Sequence, residues 1–330
     1  MTIAENGSLE LQIRGPLKES FKSALLPPRK ELLLLLFALQ FQNFLDRKTS
    51  LFLCNTSVAL SSKLLLLEAL MDKLLPEYWG YARREYAFAQ KHGVEFDTVF
   101  DLSYPKQLLQ IPDPPVLLYR RGRLFNAFGV ALVGSRACSA YGKRTAFSLG
   151  RQIASSGVAV VSGLALGIDS AAHRGALESA KLEGAYPGVA VLGSGLLSIY
   201  PANNKGLAGE LLEYGGAVIS EYPLFAPARA FHFPKRNRII SGLSAAVVVV
   251  EAARRSGALI TANLAAEQGR EVFAVPGPVD QSSSQGTNQL ISSGAAVMRD
   301  FLDLRTELPY LVGGKAKRQA VGINKDRKGE

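Results

Sequence analysis

Cysteine is almost missing from this chain: Cys54 and Cys138 are the only two in 330 residues. Two isolated thiols fit neither a disulfide framework nor a CxxC metal site, so each reads as a small apolar filler in a reducing cytoplasm. Histidine is nearly as scarce, with His92, His173 and His232 far apart in the sequence. That scarcity excludes a zinc or iron site built from His and Cys, and neither a metal nor a cofactor is expected. Long hydrophobic runs are also lacking. The richest, Glu31 to Leu39, reaches Gln40, Gln42, Asn43, Asp46 and Arg47 almost at once. It falls short of the roughly 20 apolar residues a membrane span needs and predicts a buried helix instead. The first 30 residues carry mixed charge and no apolar core of signal-peptide type. A cytoplasmic protein with no membrane partner is the expectation.

Several nucleotide motifs are missing as well. No GxxxxGK[ST] occurs, which excludes P-loop chemistry. A dinucleotide site wants GxGxxG after its first strand and an acidic residue closing its second. Here the corresponding segments are Gly134-Ser-Arg-Ala-Cys-Ser-Ala-Tyr-Gly142 and Val161-Ser-Gly163. Paired carboxylates for a two-metal nuclease or phosphatase are lacking too, because Asp169, Glu221 and Glu251 stand singly near predicted strand ends.

Positive charge, by contrast, is abundant. The formal charge is +10 and the pI about 9.6, which favours an anionic partner. Residues 1–30 read as a flexible arm ending in Pro27-Pro28. Residues 31–110 read as a small helical domain and linker, with Leu64, Leu65, Leu67, Leu70 and Met71 at helical spacing. A proline-dense bridge, Tyr104-Pro105 and Ile111-Pro-Asp-Pro-Pro115, marks a boundary.

From there to residue 308 the texture changes. Short β-branched runs are predicted as strands at Val130–Val133, Val158–Val161, Val189–Leu192, Ala217–Ile219, Ala246–Val250 and Val272–Val275. Helical periods lie between them, at Arg144–Ser155, Ser170–Ser179 and Thr261–Gln268. Val247–Val250 shows no polar alternation, the mark of a strand buried on both faces of a parallel sheet. The fold class is α/β: an extended Rossmann-like, mostly parallel sheet preceded by a small N-terminal helical domain. Residues 309–330 are expected to be a basic disordered tail.

Ligands in open α/β sheets sit at the carboxyl ends of the strands, and four constellations fall there. The first, Gly134, Ser135 and Arg136 with Lys143 downstream, offers close backbone approach, a guanidinium and a helix N-terminus with free amides for an anion. The second joins Ser162, Gly163 and Gly167 to Asp169, whose plain alternative is a helix N-cap. The third pairs Gly193-Ser-Gly195 with Tyr200-Pro-Ala-Asn203. The fourth, Phe231-His-Phe-Pro-Lys-Arg-Asn-Arg238, places Lys235, Arg236 and Arg238 beside Phe233. Cations that track phosphates and rings on which bases stack are the composition of a single-strand groove.

In order, GSRACSAYG, SGLALGIDSAAH, VLGSGLLSIYPANN, SEYP, HFPKRNRIISGLS, VVVEAARRSGALITANLA and EQGREVFAVPG resemble the DNA-processing protein A family (DprA, also called Smf). The resemblance covers about residues 94–305. It implies an extended Rossmann fold that binds single-stranded DNA, forms homodimers, protects incoming strands and loads the RecA recombinase in transformation or recombination, without catalysis. By motif it implies a phosphate pocket from Gly134, Ser135, Arg136, Ser162, Gly163, Gly167 and Asp169. A DNA groove lined by Arg229, Phe233, Lys235, Arg236 and Arg238 is implied as well. Ser139 stands where family members often have Thr, the helical region is divergent and leucine-heavy, and no winged-helix domain is expected after residue 308. The alternative is a phosphoribohydrolase-like enzyme on nucleotides, with Glu251 or Glu221 as the catalytic acid; the PGGxGT loop of that class is missing.

Overall fold

The computed structural model describes residues 14–23, 25–125 and 127–312. The chain divides into two compact units, residues 1–121 with 194–198 and 219–228, and residues 122–193 with 199–218 and 229–330. The basic segment 313–330 and residues 1–13 lie outside the described residues.

The first unit is mainly helical. Residues 14–22, expected as part of a loose arm, are helical, with Leu17 and Phe21 buried. Helix α1 (Arg29–Phe41) contains the leucine run, and every residue from Leu32 to Leu39 is buried. A helix apolar all round has no solvent face to offer. Asp46 caps α2 (Arg47–Cys54) by accepting the Thr49 amide. Helices α3 (Leu60–Met71) and α4 (Pro76–Lys91) follow, with Pro76 at the first position of α4, where a missing N–H costs nothing. No described helix is long and apolar enough to cross a membrane. Strands β1 (Glu95–Thr98) and β2 (Leu117–Gly122) pair antiparallel, and the Arg120 guanidinium meets Asp97 at 2.7 Å. Sequence reading did not place either strand. β1 is four residues long with two acidic positions, and the hydrophobic part of β2 continues a proline-rich bridge.

The second unit alternates strand and helix. Its elements are β3 (Gly129–Gly134), α5 (Ala140–Ser155), β4 (Val160–Ser162), α6 (Ile168–Glu183), β5 (Val189–Leu192), α7 (Lys205–Glu213), β6 (Ala217–Ser220), α8 (His232–Gly242), β7 (Ser244–Glu251), α9 (Gly257–Glu267), β8 (Glu271–Ala274), α10 (Gln285–Ser292), β9 (Ala296–Val297), α11 (Phe301–Glu307) and α12 (Pro309–Val312). Among the described residues the sheet has nine strands in the order β1-β2-β6-β5-β4-β3-β7-β8-β9. β4, β3, β7, β8 and β9 pair parallel in turn, as do β4 and β5, with register shifts at both ends of the β3–β7 pairing. The extended Rossmann-like sheet is therefore as the strand pattern requires, and Ser244–Glu251 is buried at every position. Successive strands leave β3 in one direction up to β6, and β7 then returns to β3's other side. That reversal puts the topological switch point between β3 and β7.

One face of the sheet is packed by α5 and α6, whose Ala146, Leu149, Ile153, Ala172 and Ala176 join Val130, Leu132, Val160, Val248 and Val250. The two helices approach closely because Gly150 and Gly175 carry no side chain at the crossing. A Cβ on Gly175 would run into the Phe147 carbonyl. Gly175→Ala should therefore lower the unfolding free energy by about 1–3 kcal/mol in urea titration, overpacking outweighing the alanine's better helix propensity. An equal or higher midpoint would contradict this packing account.

Candidate nucleic-acid interface

The loops at the carboxyl ends of β3, β4, β5 and β7 gather in the second unit. The chain leaves β3 through Gly134, where a Cβ would stand 2.6 Å from Ile168 and 2.8 Å from the Glu251 carbonyl. Ser135 bridges its neighbours: its amide donates to the Glu251 carbonyl at 2.8 Å, and its carbonyl accepts from the Ile168 amide at 3.2 Å. Arg136 follows, exposed at the surface.

The N-terminus of α5 differs from expectation. Ser139 caps it, accepting the Gly142 amide at 3.0 Å. The carboxylate of Glu251, buried at the end of β7, accepts the Ser139 amide at 3.1 Å and the Ser139 hydroxyl at 2.8 Å. The positive end of α5 is thus already matched by an internal anion, and these amides are not free for phosphate. The same contacts bear on the enzyme alternative, because Glu251 is committed to the helix cap. Burial, followed by the nearby Glu251 charge, pushes the Cys138 thiol up, which disfavours a nucleophilic thiolate. Lys143 lies exposed in the first turn of α5.

The second loop, Gly163 to Gly167, is held from beneath. Ser162 is fully buried, and its hydroxyl donates to the Leu132 carbonyl at 2.6 Å, so it serves the sheet rather than the surface. The Asp169 carboxylate accepts the amides of Gly163 at 3.0 Å and Ala165 at 3.3 Å. Asp169 is therefore not the helix N-cap that the sequence offered as its plain alternative. Gly167 holds that position without a side-chain cap, and Asp169, second residue of α6, ties the preceding loop to the helix. Burial raises its pKa, while the Arg236 charge and the loop amides pull it back down. Arg236 completes the clamp from the opposite side. Its Nη1 donates to the Gly163 carbonyl at 2.8 Å and also to the Val191 carbonyl. A Cβ on Gly163 would sit 2.5 Å from that guanidinium, so any side chain there would have to displace Arg236 from the Gly163 and Val191 carbonyls. Leu164 adopts a φ of +56° and Gly167 one of +76°. The Asn204 amide donates to the Leu164 carbonyl at 2.8 Å and secures that unusual turn.

The fourth constellation is not a loop. Residues 232–242 form α8, with Pro234 in the first turn, where proline is tolerated. His232, Arg236, Ile239 and Ile240 then share a buried face at helical spacing, and Lys235 points to solvent. Arg236 and Arg238, expected to line a groove, are instead 4% and 5% exposed. The Gln268 side chain donates to the Arg238 carbonyl at 3.2 Å. Arg229 is exposed just before the helix, and its carbonyl accepts the His232 amide.

What the fold does bring together is Arg136 and Phe233. The Arg136 guanidinium lies 4.9 Å from the centre of the Phe233 ring, and Arg236 lies 5.9 Å from it. Tyr200, 48% exposed, tilts against the same ring at 5.8 Å. Gly193 makes room for it, since a Cβ there would stand 2.9 Å from Phe233. Sequence reading flagged the Tyr200 motif but did not name Tyr200 as a site residue. Its signal was an aromatic in a strand-end loop following a glycine turn.

An open, mostly parallel α/β sheet with glycine loops converging at its carboxyl edge defines a Rossmann-like protein. Residues 95–309 match the family described as DNA recombination-mediator protein A, and the chain belongs to that family. Among relatives, the protein Smf of Escherichia coli K12 is 48% identical over 221 residues, covering 66% of this chain and 57% of the relative. The DNA processing protein DprA of Streptococcus pneumoniae R6 is 41% identical over 218 residues, covering 64% of this chain and 74% of the relative. The chain thus spans little more than half the length of the Escherichia coli protein. The crystal structure of a DprA from Streptococcus pneumoniae superposes with a TM-score of 0.68 at 34% identity, covering 85% of this chain and 98% of that one. A Helicobacter pylori DNA processing protein A, described for its single-stranded DNA binding mode, gives 0.57 at 29% identity, covering 66% and 96%.

Two outcomes follow from this geometry. Ser139→Ala removes the cap and one partner of Glu251, and should cost about 1–2 kcal/mol of stability in urea titration, with Ser139→Thr losing less. A Ser139→Ala protein as stable as the parent would mean that the cap contributes nothing. His173 on α6 is fully buried, and burial holds its imidazole at about 4, below the ordinary 6.5. The unfolded chain takes up that proton as pH falls past 6.5, while the folded chain refuses it until about 4. Stability should therefore fall across that window, by about 3 kcal/mol in all. In His173→Gln the slope of unfolding free energy against pH should flatten between those values, and an unchanged slope would contradict the assignment.

Proposed function

We propose that this chain binds single-stranded DNA at the carboxyl edge of its parallel sheet, without sequence preference and without chemistry on the strand. The observation that carries the reading is the stack of Arg136 on Phe233 with Tyr200 alongside. A base can stack on such a ring while the guanidinium meets the adjacent phosphate. Lys143, Arg229 and Lys235 are exposed in the same unit and supply further cations. Gly134, Ser135, Ser162, Gly163, Gly167, Asp169 and Arg236 act by shaping the two loops, and Arg238 by anchoring α8. The family's description as a recombination mediator supports a non-catalytic protein that shields incoming strands and hands them to RecA in transformation or recombination. A homodimer working in the cytoplasm completes this reading. The Helicobacter pylori relative's single-stranded DNA binding supports the ligand.

Fluorescence anisotropy with labelled oligo-dT across a salt series tests the proposal. Arg136→Ala should weaken binding and make the dependence of log K on log salt shallower by roughly 0.7. Phe233→Ala should weaken it by about 5- to 100-fold, the range of one lost base stack. A matched duplex should bind far more weakly, because its bases are not available to stack. Unchanged affinity in both folded variants would sink the assignment.

A further inference from the structure

The first unit carries an aromatic groove of its own. It is lined by Phe41 of α1, by Tyr81, Arg84, Glu85 and Phe88 of α4, and by Pro223, Phe225 and Ala226 of the segment 219–228, and it encloses about 350 Å³. Tyr81, Arg84 and Phe88 share one stripe of α4 at three- and four-residue spacing. Large apolar rings normally turn inward, yet Tyr81 is 47%, Phe88 41% and Phe225 51% exposed. Phe88 and Phe225 meet edge-to-face at 5.1 Å, Phe41 tilts against Tyr81 at 5.8 Å, and the Arg84 guanidinium lies 4.7 Å over the Tyr81 ring.

The charge around the groove has one dominant sign. Its acid, Glu85, is turned into the floor, where it accepts the Leu224 amide at 2.6 Å and burial raises its pKa. Arg83, Arg84 and Lys91 are exposed on α4, against a single exposed carboxylate, Glu77, in its first turn. We infer that this groove holds an unpaired base of a single DNA strand, stacked against Tyr81, Phe88 and Phe225, with Arg84 on the neighbouring phosphate. The inference rests on the reading of the chain as a single-strand binder and adds a second contact, on the helical unit. Rings for sequence-tolerant stacking and arginine for the backbone are the chemistry a single strand selects. Among the described residues lining the groove the carboxylate is Glu85, turned inward, and that leaves no acidic rim of the kind a basic peptide would need.

The test is photocrosslinking of the full chain to oligo-dT bearing 5-iododeoxyuridine, with the adducts mapped by mass spectrometry, beside anisotropy of variants. Adducts are expected at Tyr81, Phe88 or Phe225 as well as at Tyr200 or Phe233. Phe88→Ala with Phe225→Leu, and separately Arg84→Gln, should each weaken binding about 5-fold or more. Arg84→Gln is a surface change that leaves the rings in place, so its effect does not depend on refolding of the groove. If the parent binds oligo-dT, crosslinks only at Tyr200 or Phe233 and loses nothing on these substitutions, the groove belongs to a different partner and the inference fails alone. If the parent does not bind oligo-dT at all, this inference and the single-strand reading fall together.

Discussion

The site depends on how one glycine is gripped. Gly163 donates its amide to the buried Asp169 carboxylate and offers its carbonyl to the buried Arg236 guanidinium. An acid from α6 and a base from α8 thus close on the backbone from opposite sides. Neither charge would be tolerable alone in that interior, and together they offset each other's desolvation while ordering the loop between them. The consequences spread outward. Arg236 also reaches the Val191 carbonyl at the end of β5. Asp169 sets the start of α6, whose first amide is fastened to Ser135 in the loop after β3. Three strand ends are fixed by one clamp, and Arg136 and Phe233 meet above it.

Much of this architecture is visible in the sequence because it follows from local composition. The valine run at 247–250 has no polar alternation, and β7 is buried on both faces. The glycines of the first two loops mark turns that a side chain would block, and the structure supplies the blocking atoms. Ordered motifs also disclose the family, since their spacing reflects a whole sheet rather than one loop.

What the sequence conceals has three physical sources. Residues 231–238 look like a basic loop because their clustered charge is more conspicuous than their helical period. The spacing of His232, Arg236, Ile239 and Ile240 is that of a helix and turns Arg236 inward, while Arg238 is buried because the C-terminal half of the helix, from 238 to 242, is covered on all sides. The bond between Ser139 and Glu251 joins positions 112 residues apart, and no local pattern announces it. Short edge strands such as Glu95–Thr98 fail for a third reason: pairing with Leu117–Arg120 defines them more than their own residues do.

The carboxylate seated on the first turn of α5 gives the protein a built-in counter-ion. Helix N-termini in this class of sheet commonly greet small anions, and an unoccupied one would be filled by free phosphate or by mononucleotides. Here that role is taken by Glu251, so a lone phosphate gains little by settling at α5. A polymer is different, because each added nucleotide brings a ring as well as a charge. On the proposed reading, that arrangement would work as a filter on chain length, passing over abundant monomers and favouring a strand held through the sum of many modest contacts.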